Sequence, residues 1–192
     1  DNSSIPFLEF KNKYNQAIKA KQSSVEAVCI SSFNNTSSEV NSRYVNLKVI
    51  DNDEFIFFSN YNSPKSKQFL LHDQIAANIY WSSLNIQIRI KAKIKKTPQA
   101  FNEKYFMARD DRKNALAISS KQSRVIDSYQ QVVDKYNFAL VNNNLKICPD
   151  YWGGFAFKPY EFEFWTGHKS RLNKRVKFVS NNKTWLETIL EP

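Results

Sequence analysis

The sequence predicts a mainly β protein: a closed antiparallel β-barrel with helices packed outside it. Three observations lead there. Short apolar runs follow one another closely, separated by turns of Asn, Asp and Ser. One run alternates for its full length, with Ile86, Ile88, Ile90, Ala92 and Ile94 set against Gln87, Arg89, Lys91, Lys93 and Lys95. That is the period of a half-buried strand. The helical patterns fall irregularly among six to eight strands, which does not fit a βαβ repeat. With no internal repeat and no linker, residues 1–192 read as a single domain.

Taken in order, Pro6 to Lys21 reads as a helix, with Phe7, Leu8, Phe10, Tyr14, Ala17 and Ile18 roughly on one face and Pro6 in the first turn. Val25 to Ser32 is a strand, and residues 33–38 a turn. Arg43 to Ile50 reads as a second strand with Val45, Leu47 and Val49 on one side, and Asp51-Asn52-Asp53 turns it into Glu54 to Ser59. Ser63 and Pro64 suit the N-cap and first position of a helix running to Leu71. Ile75 to Trp81 is a strand. Thr97 caps a helix through Phe106, and Val125 to Phe138 forms another. After an Asn142–Asn144 turn, strands at Phe162–Trp165, Arg175–Val179 and Trp185–Leu190 close the chain.

Composition excludes several classes. No run of about 18 uncharged apolar residues reads as a membrane span. The first apolar stretch is broken by Glu9, Lys11 and Lys13, unlike a signal peptide, and a cytoplasmic location is expected. Asp1 is not an initiator Met, so residues upstream of it are expected. Cys29, in the apolar run Val25 to Ile30, reads as a buried thiol, and Cys29 and Cys148 together with His72 and His168 offer no metal-ligand spacing. The formal charge of +10 invites a nucleic-acid reading, but the basic residues are not grouped into one stripe interleaved with aromatics. Clustered Arg and Lys also suit small phosphate-bearing ligands.

Only three glycines occur, Gly153, Gly154 and Gly167. Tight turns between strands are the favoured reading, and close approach to a ligand or a partner subunit is the alternative. Arg43 and Lys48 flank one predicted strand and could grip a phosphate if the strand twists or the ligand spans it, although an Arg and a Lys on a strand are usually solvated.

The segment Trp152-Gly153-Gly154-Phe155, then Glu161 to Gly167, then Arg171-Leu172-Asn173-Lys174-Arg175 is more specific. It resembles the C-terminal signature of the pyridoxamine 5'-phosphate oxidases. The N-terminal helix, the Arg43/Lys48 strand, the Ser63 helix start, the Gln87 strand and Lys121-Gln122-Ser123 follow in family order, so the resemblance spans essentially the whole chain. It implies an FMN-binding split barrel that dimerises, with flavin mononucleotide in two clefts at the subunit interface. It implies flavin contacts for Arg43, Lys48, Phe58 (through its backbone), Ser59, Lys65, Gln87, Gln122, Ser123, Trp165 and Arg175, some donated by the partner subunit. It implies that Lys48 also lies beside the substrate, that Tyr105 and Arg109 clamp the substrate phosphate, and that Arg171 lies over the pyridine ring. The activity implied is hydride loss from the C4' carbon of pyridoxamine or pyridoxine phosphate to the flavin, with dioxygen reoxidising it to give hydrogen peroxide.

The chain departs from the family at several of these positions. Asn173 replaces a His and cannot carry a proton at neutral pH. Lys113 replaces a Ser on the substrate phosphate and could supply a charge instead. Pro64 replaces an Arg before Lys65, and Phe58 replaces a Tyr. The flavin site is therefore better kept than the substrate site. Two alternatives stand beside the oxidase: a flavin oxidase of another substrate, as in phenazine biosynthesis, and a flavin- or pyridoxal-phosphate-binding protein with little catalysis.

Overall fold

The computed structural model describes residues 5–182 and 184–192. Helix α1 (Ile5–Lys19) precedes strands β1 (Ala27–Asn34), β2 (Glu39–Asn46), β3 (Val49–Asp51) and β4 (Glu54–Asn60). Helix α2 (Pro64–Leu71), strands β5 (Gln74–Trp81) and β6 (Ile86–Lys96), and helices α3 (Gln99–Ala108), α4 (Asp111–Ser119) and α5 (Tyr129–Asn142) follow. Strands β7 (Trp152–Thr166), β8 (Lys174–Asn181) and β9 (Thr184–Leu190) complete the chain.

All nine strands join one sheet in the order β2-β1-β5-β6-β7-β4-β3, with β8 added to β7 and β9 to β8. Every pairing is antiparallel. The strands at the two ends of the path, β2 and β3, are consecutive in the chain. Leu47 N–H donates to Glu26 O and Lys48 N–H to Ile56 O, each at 2.9 Å, so the chain crosses there from the β1 side to the β4 side. The single strand expected over Arg43–Ile50 is therefore two strands, broken where the backbone changes partner.

Strand β7 organises the barrel. Along one edge it pairs with β6; along the other, residues 152–157 pair with β4 and residues 161–166 with β8. The change of partner falls at a bulge, where Lys91 opposes Glu161 and Ala92 opposes Pro159. Pro159 has no N–H to give a ladder, and a bulge is where a strand tolerates that. The strand expected over Phe162–Trp165 is only part of it, because the Gly153-Gly154 pair reads as a turn.

Those glycines are not at turns. Gly153 and Gly154 lie within β7, and neither has positive φ. A Cβ on Gly153 would collide with Tyr61 and Asn102, and one on Gly154 would come 2.5 Å from Thr97 Oγ1. The close approach is by the protein's own side chains. Tyr61 Oη donates to Gly154 O, Gly154 N–H to Asn102 Oδ1, and Thr97 Oγ1 to the same Asn102 oxygen. Thr97 is thus committed to Asn102, and the N-cap of α3 is Pro98, not Thr97 as expected.

The alternating residues of β6 point as predicted: Ile86, Ile88, Ile90, Ala92 and Ile94 are buried. They meet a mainly aromatic core in which Phe10 packs edge-on to Phe55 at 4.8 Å and Phe55 stacks on Phe157 at 5.4 Å. Helix α4 was not expected. Its buried residues are Asn114 and Ala115, and Asn114 Nδ2 donates to Phe106 O and Leu145 O. Both cysteines are free thiols, and burial pushes that of Cys148 up to about 11. No helix among the described residues is long and apolar enough to cross a membrane.

Candidate functional site

A cleft of about 590 Å³ opens where β2, β4, α3 and the segment after α4 meet. Its lining includes Lys48, Phe58, Ser59, Lys65, Tyr105, Arg109, Lys113 and Gln122, which the sequence placed 74 residues apart at the extremes (48 to 122). Each arrives for a local reason. Lys48 sits at the crossing between β2 and β3. Phe58 and Ser59 lie near the end of β4, opposite Gly154 and Gly153. Lys65 is in the first turn of α2, after Pro64 at its start. Tyr105 is on α3 and Arg109 follows its last residue. Asp110 caps α4 by accepting from Arg112 N–H and Lys113 N–H, which orients the first turn that carries Lys113.

Cations dominate the lining, in which Asp110 is the one carboxylate. Among the described residues, Lys48, Lys65, Arg109 and Lys113 make no ion pair. Burial and the nearby Arg43 charge push the Lys65 ammonium down to about 8. Arg43 lies outside the lining. Its guanidinium donates to Ser32 Oγ at 2.6 Å and Gln68 Oε1 at 3.0 Å, and burial pulls its pKa down. Arg109 Nη1 is buried with no hydrogen-bond partner. An orphaned guanidinium nitrogen and uncompensated ammonium groups fit a multiply charged oxyanion. Such residues could hold the phosphates of a flavin mononucleotide and of a phosphorylated substrate.

One wall is aromatic. Phe58 stacks on Tyr105 with centroids 3.9 Å apart and on Trp152 at 4.9 Å. The Arg109 guanidinium lies 4.6 Å from the centre of the Trp152 ring. Burial raises the Tyr105 phenol, and the Arg109 charge partly offsets that. Gln122 closes the far side: its Oε1 accepts from Ser59 Oγ at 3.1 Å and from Asn60 N–H at 3.3 Å. Ser123 is next in the chain, at φ 66°.

The other predicted residues lie outside this lining. Gln87, Trp165 and Arg175 are direct neighbours across β6, β7 and β8. Gln87 Nε2 donates to Asn78 Oδ1. Arg175 Nε donates to Glu163 Oε1 at 2.8 Å, and Arg89 reaches the other oxygen of the same carboxylate at 3.0 Å. Arg171 and Asn173 lie in the turn leading into β8. Arg171 is exposed and held at φ 60°, and Asn173 Oδ1 accepts from His168 N–H at 3.0 Å. Apart from Arg43 and Ser123, the candidate residues form two groups, a cationic cleft and a row with its adjoining turn.

Tyr44, Val45, Asn46, Ala108, Asp110 and Trp152 also line the cleft without having been singled out as site residues. Trp152 carried a usable signal, since it heads the Trp-Gly-Gly run; the others carried none. Among the described residues, no three His, Cys, Asp or Glu side chains are grouped to hold a metal.

Residues 152–192 match the profile of the pyridoxine 5'-phosphate oxidase C-terminal dimerisation region. A pyridoxine/pyridoxamine 5'-phosphate oxidase of Haemophilus influenzae is 32% identical over 188 residues, covering 97% of this chain and 89% of the relative. That of Hydrogenovibrio crunogenus is 33% identical, covering 97% and 88%. Among solved structures, PhzG of Burkholderia lata, in complex with tetrahydrophenazine-1-carboxylic acid, superposes with a TM-score of 0.92 at 21% identity, covering 97% of this chain and 92% of the other. A pyridoxamine 5'-phosphate oxidase-related, FMN-binding protein of Nostoc punctiforme gives 0.80 at 10% identity, covering 95% and 97%.

Proposed function

The chain belongs to the pyridoxine/pyridoxamine 5'-phosphate oxidase family, and from that premise we propose that it is a homodimeric oxidase of pyridoxamine or pyridoxine 5'-phosphate. It is an oxidoreductase of the split-barrel fold with FMN as its cofactor. The proposal takes residues 1–192 as one such barrel working in the cytoplasm. The observation that carries the substrate reading is the cleft with four unpaired cations and an aromatic wall, which suits a flat ring bearing a phosphate.

Bound FMN supplies the two-electron acceptor for hydride loss from the substrate's C4' carbon, with dioxygen as final oxidant and hydrogen peroxide as product. The chain's own residues bind, orient and shield. Arg43 and Lys65, with Ser59, would hold the flavin phosphate, and Lys48 would stand between flavin and substrate. Tyr105, Arg109 and Lys113 would hold the substrate phosphate. Gln87, Trp165 and Arg175 belong to a sheet row away from the cleft, so we assign their flavin contacts to the cleft of the partner subunit, with Arg171 beside the substrate ring. Asn173 offers only a neutral hydrogen bond, so no proton is routed through it.

The test is hydrogen peroxide release from pyridoxamine phosphate, pyridoxine phosphate and their phosphate-free forms. Turnover confined to the phosphorylated forms is expected. Lys113 and Asn173 favour a second reading, an oxidase of a carboxylated ring: an added cation suits a carboxylate, and the family His is gone. Fast peroxide release from a carboxylated ring, with none from the phosphorylated pyridines, would replace the first reading by the second.

A further inference from the structure

We propose that Trp152 is a positioning residue: its indole holds the Arg109 guanidinium in place for the anionic end of the substrate. The inference rests on the reading of Arg109 as a ligand of that anion.

The guanidinium of Arg109 makes no hydrogen bond and no ion pair among the described residues, and its Nη1 is buried without a partner. A long cationic side chain with no polar partner ordinarily samples many rotamers. Asp110, the nearest carboxylate in sequence, is committed to the backbone of α4. Aromatic faces take the place of a carboxylate. Arg109 lies 4.6 Å from the Trp152 ring centre and 5.8 Å from that of Phe106. A carboxylate would fix the side chain but cancel its charge and occupy its donors. An aromatic face fixes it through the ring quadrupole and leaves the charge and the donors for a ligand.

Trp152 is itself fixed. It is 4% exposed, stacks on Phe58 at 4.9 Å with the rings 7° from parallel, and meets Phe106 edge-on at 4.9 Å. Its backbone N–H donates to Pro149 O, and it opposes Asn60 at the start of β7. Phe58 also stacks on Tyr105, so one aromatic group supports both Arg109 and Tyr105. Gly153 follows immediately, and with no side chain there Tyr61 and Asn102 can close on the strand beside Trp152.

The experiment measures binding of pyridoxal 5'-phosphate and of inorganic phosphate to the FMN-loaded protein by calorimetry, in the parent and in Arg109→Ala, Trp152→Met and Trp152→Phe. Flavin affinity is measured in parallel. Arg109→Ala and Trp152→Met are expected to weaken both anions about tenfold or more. Trp152→Phe, which keeps an aromatic face, should stay within about threefold of the parent. Flavin affinity should change less than anion affinity in every variant. Should Trp152→Met not fold, Phe106→Leu replaces it, since that ring meets Trp152 edge-on and stands 5.8 Å from the same guanidinium. If Trp152→Met, or Phe106→Leu in its place, binds both anions as the parent does while Arg109→Ala does not, Trp152 has no positioning role. If Arg109→Ala binds them as the parent does, the assignment of Arg109 fails and the role of Trp152 fails with it.

Discussion

Lys65 carries its ammonium beside the Arg43 guanidinium, and neither makes an ion pair with a carboxylate among the described residues. Two neighbouring cations, both partly withdrawn from water, are unfavourable until an anion joins them. Burial and that repulsion hold Lys65 at about 8 against an ordinary 10.5. Below pH 8 Lys65 is charged in both folded and unfolded chains, and its burial costs stability. Between pH 8 and 10.5 the folded protein has already lost the proton that the unfolded chain still binds, so the ligand-free protein gains stability as pH rises.

Flavin binding should show the opposite trend. The flavin phosphate is a dianion above about pH 6, so the change in alkali belongs to Lys65. FMN affinity, followed by quenching of flavin fluorescence, is expected to fall on the order of tenfold between pH 7 and 9.5 as Lys65 loses its charge. Lys65→Arg should bind FMN with little change over that range, and Lys65→Met should bind weakly throughout. An unchanged pH profile in Lys65→Met would assign the titration to another group.

Gln122 joins the segment after α4 to the end of β4 through one oxygen that accepts from Ser59 and Asn60. Gln122→Ala removes that acceptor and should lower stability by about 1 kcal/mol in urea unfolding, the cost of leaving partly buried donors unmet. Gln122→Glu keeps the oxygen but adds a negative charge to the lining shared with Lys48 and Lys65. It should unfold like the parent yet bind FMN several-fold more weakly. Equal flavin affinity in the parent and Gln122→Glu would place the flavin away from this side of the cleft.

The barrel was legible in the sequence wherever side-chain period alone decides the outcome. Strand β6 shows this best, since its alternation and its burial agree residue by residue. Legibility ended where long-range contacts decide. Helix α4 is held by the side chain of a buried Asn, which has no hydrophobic period to read. Helix α5 starts after Ser128, whose side chain accepts from Gln131 N–H, while the exposed Val125 had suggested an earlier start. Strand β7 was hidden by glycines whose reason is Tyr61, Asn102 and Thr97, all distant in sequence. The family pattern named residues from both the cleft and the row, but no single-chain pattern shows that they lie apart.

Gly154 gives a test of that packing. An added methyl would press on Thr97 Oγ1 at 2.5 Å and on Ile56 Cγ2 at 3.3 Å, at the seam of β4 and β7. Gly154→Ala should lower stability by about 1–3 kcal/mol through overpacking. Gly154→Ala together with Thr97→Ser, which removes one of the crowding methyl groups, should recover part of the loss. A thermal melt of each variant measures both effects, and a Gly154→Ala midpoint equal to the parent's would contradict the crowding.

Arg171 allows turnover and stability to be separated. It sits at φ 60°, a conformation that costs a non-glycine residue about 1 kcal/mol, and its backbone N–H donates to His168 O. Such strain is often retained at a functional site. Arg171→Gly relieves the strain and deletes the guanidinium, so its melting temperature should equal or exceed the parent's. If the guanidinium orients the substrate and stabilises charge near the reacting carbon, turnover at saturating pyridoxamine phosphate should still fall about a hundredfold, or about 3 kcal/mol. Asn173 behaves differently, because its carboxamide oxygen already accepts from His168 N–H and braces the same turn. Asn173→Ala should therefore cost only a neutral hydrogen bond, about 0.5–1.5 kcal/mol, with a correspondingly small loss of turnover. Asn173→His, restoring the family residue, should raise activity on pyridoxamine phosphate. Parent-like turnover in Arg171→Gly would remove Arg171 from the reaction and leave its backbone conformation as a feature of the turn alone.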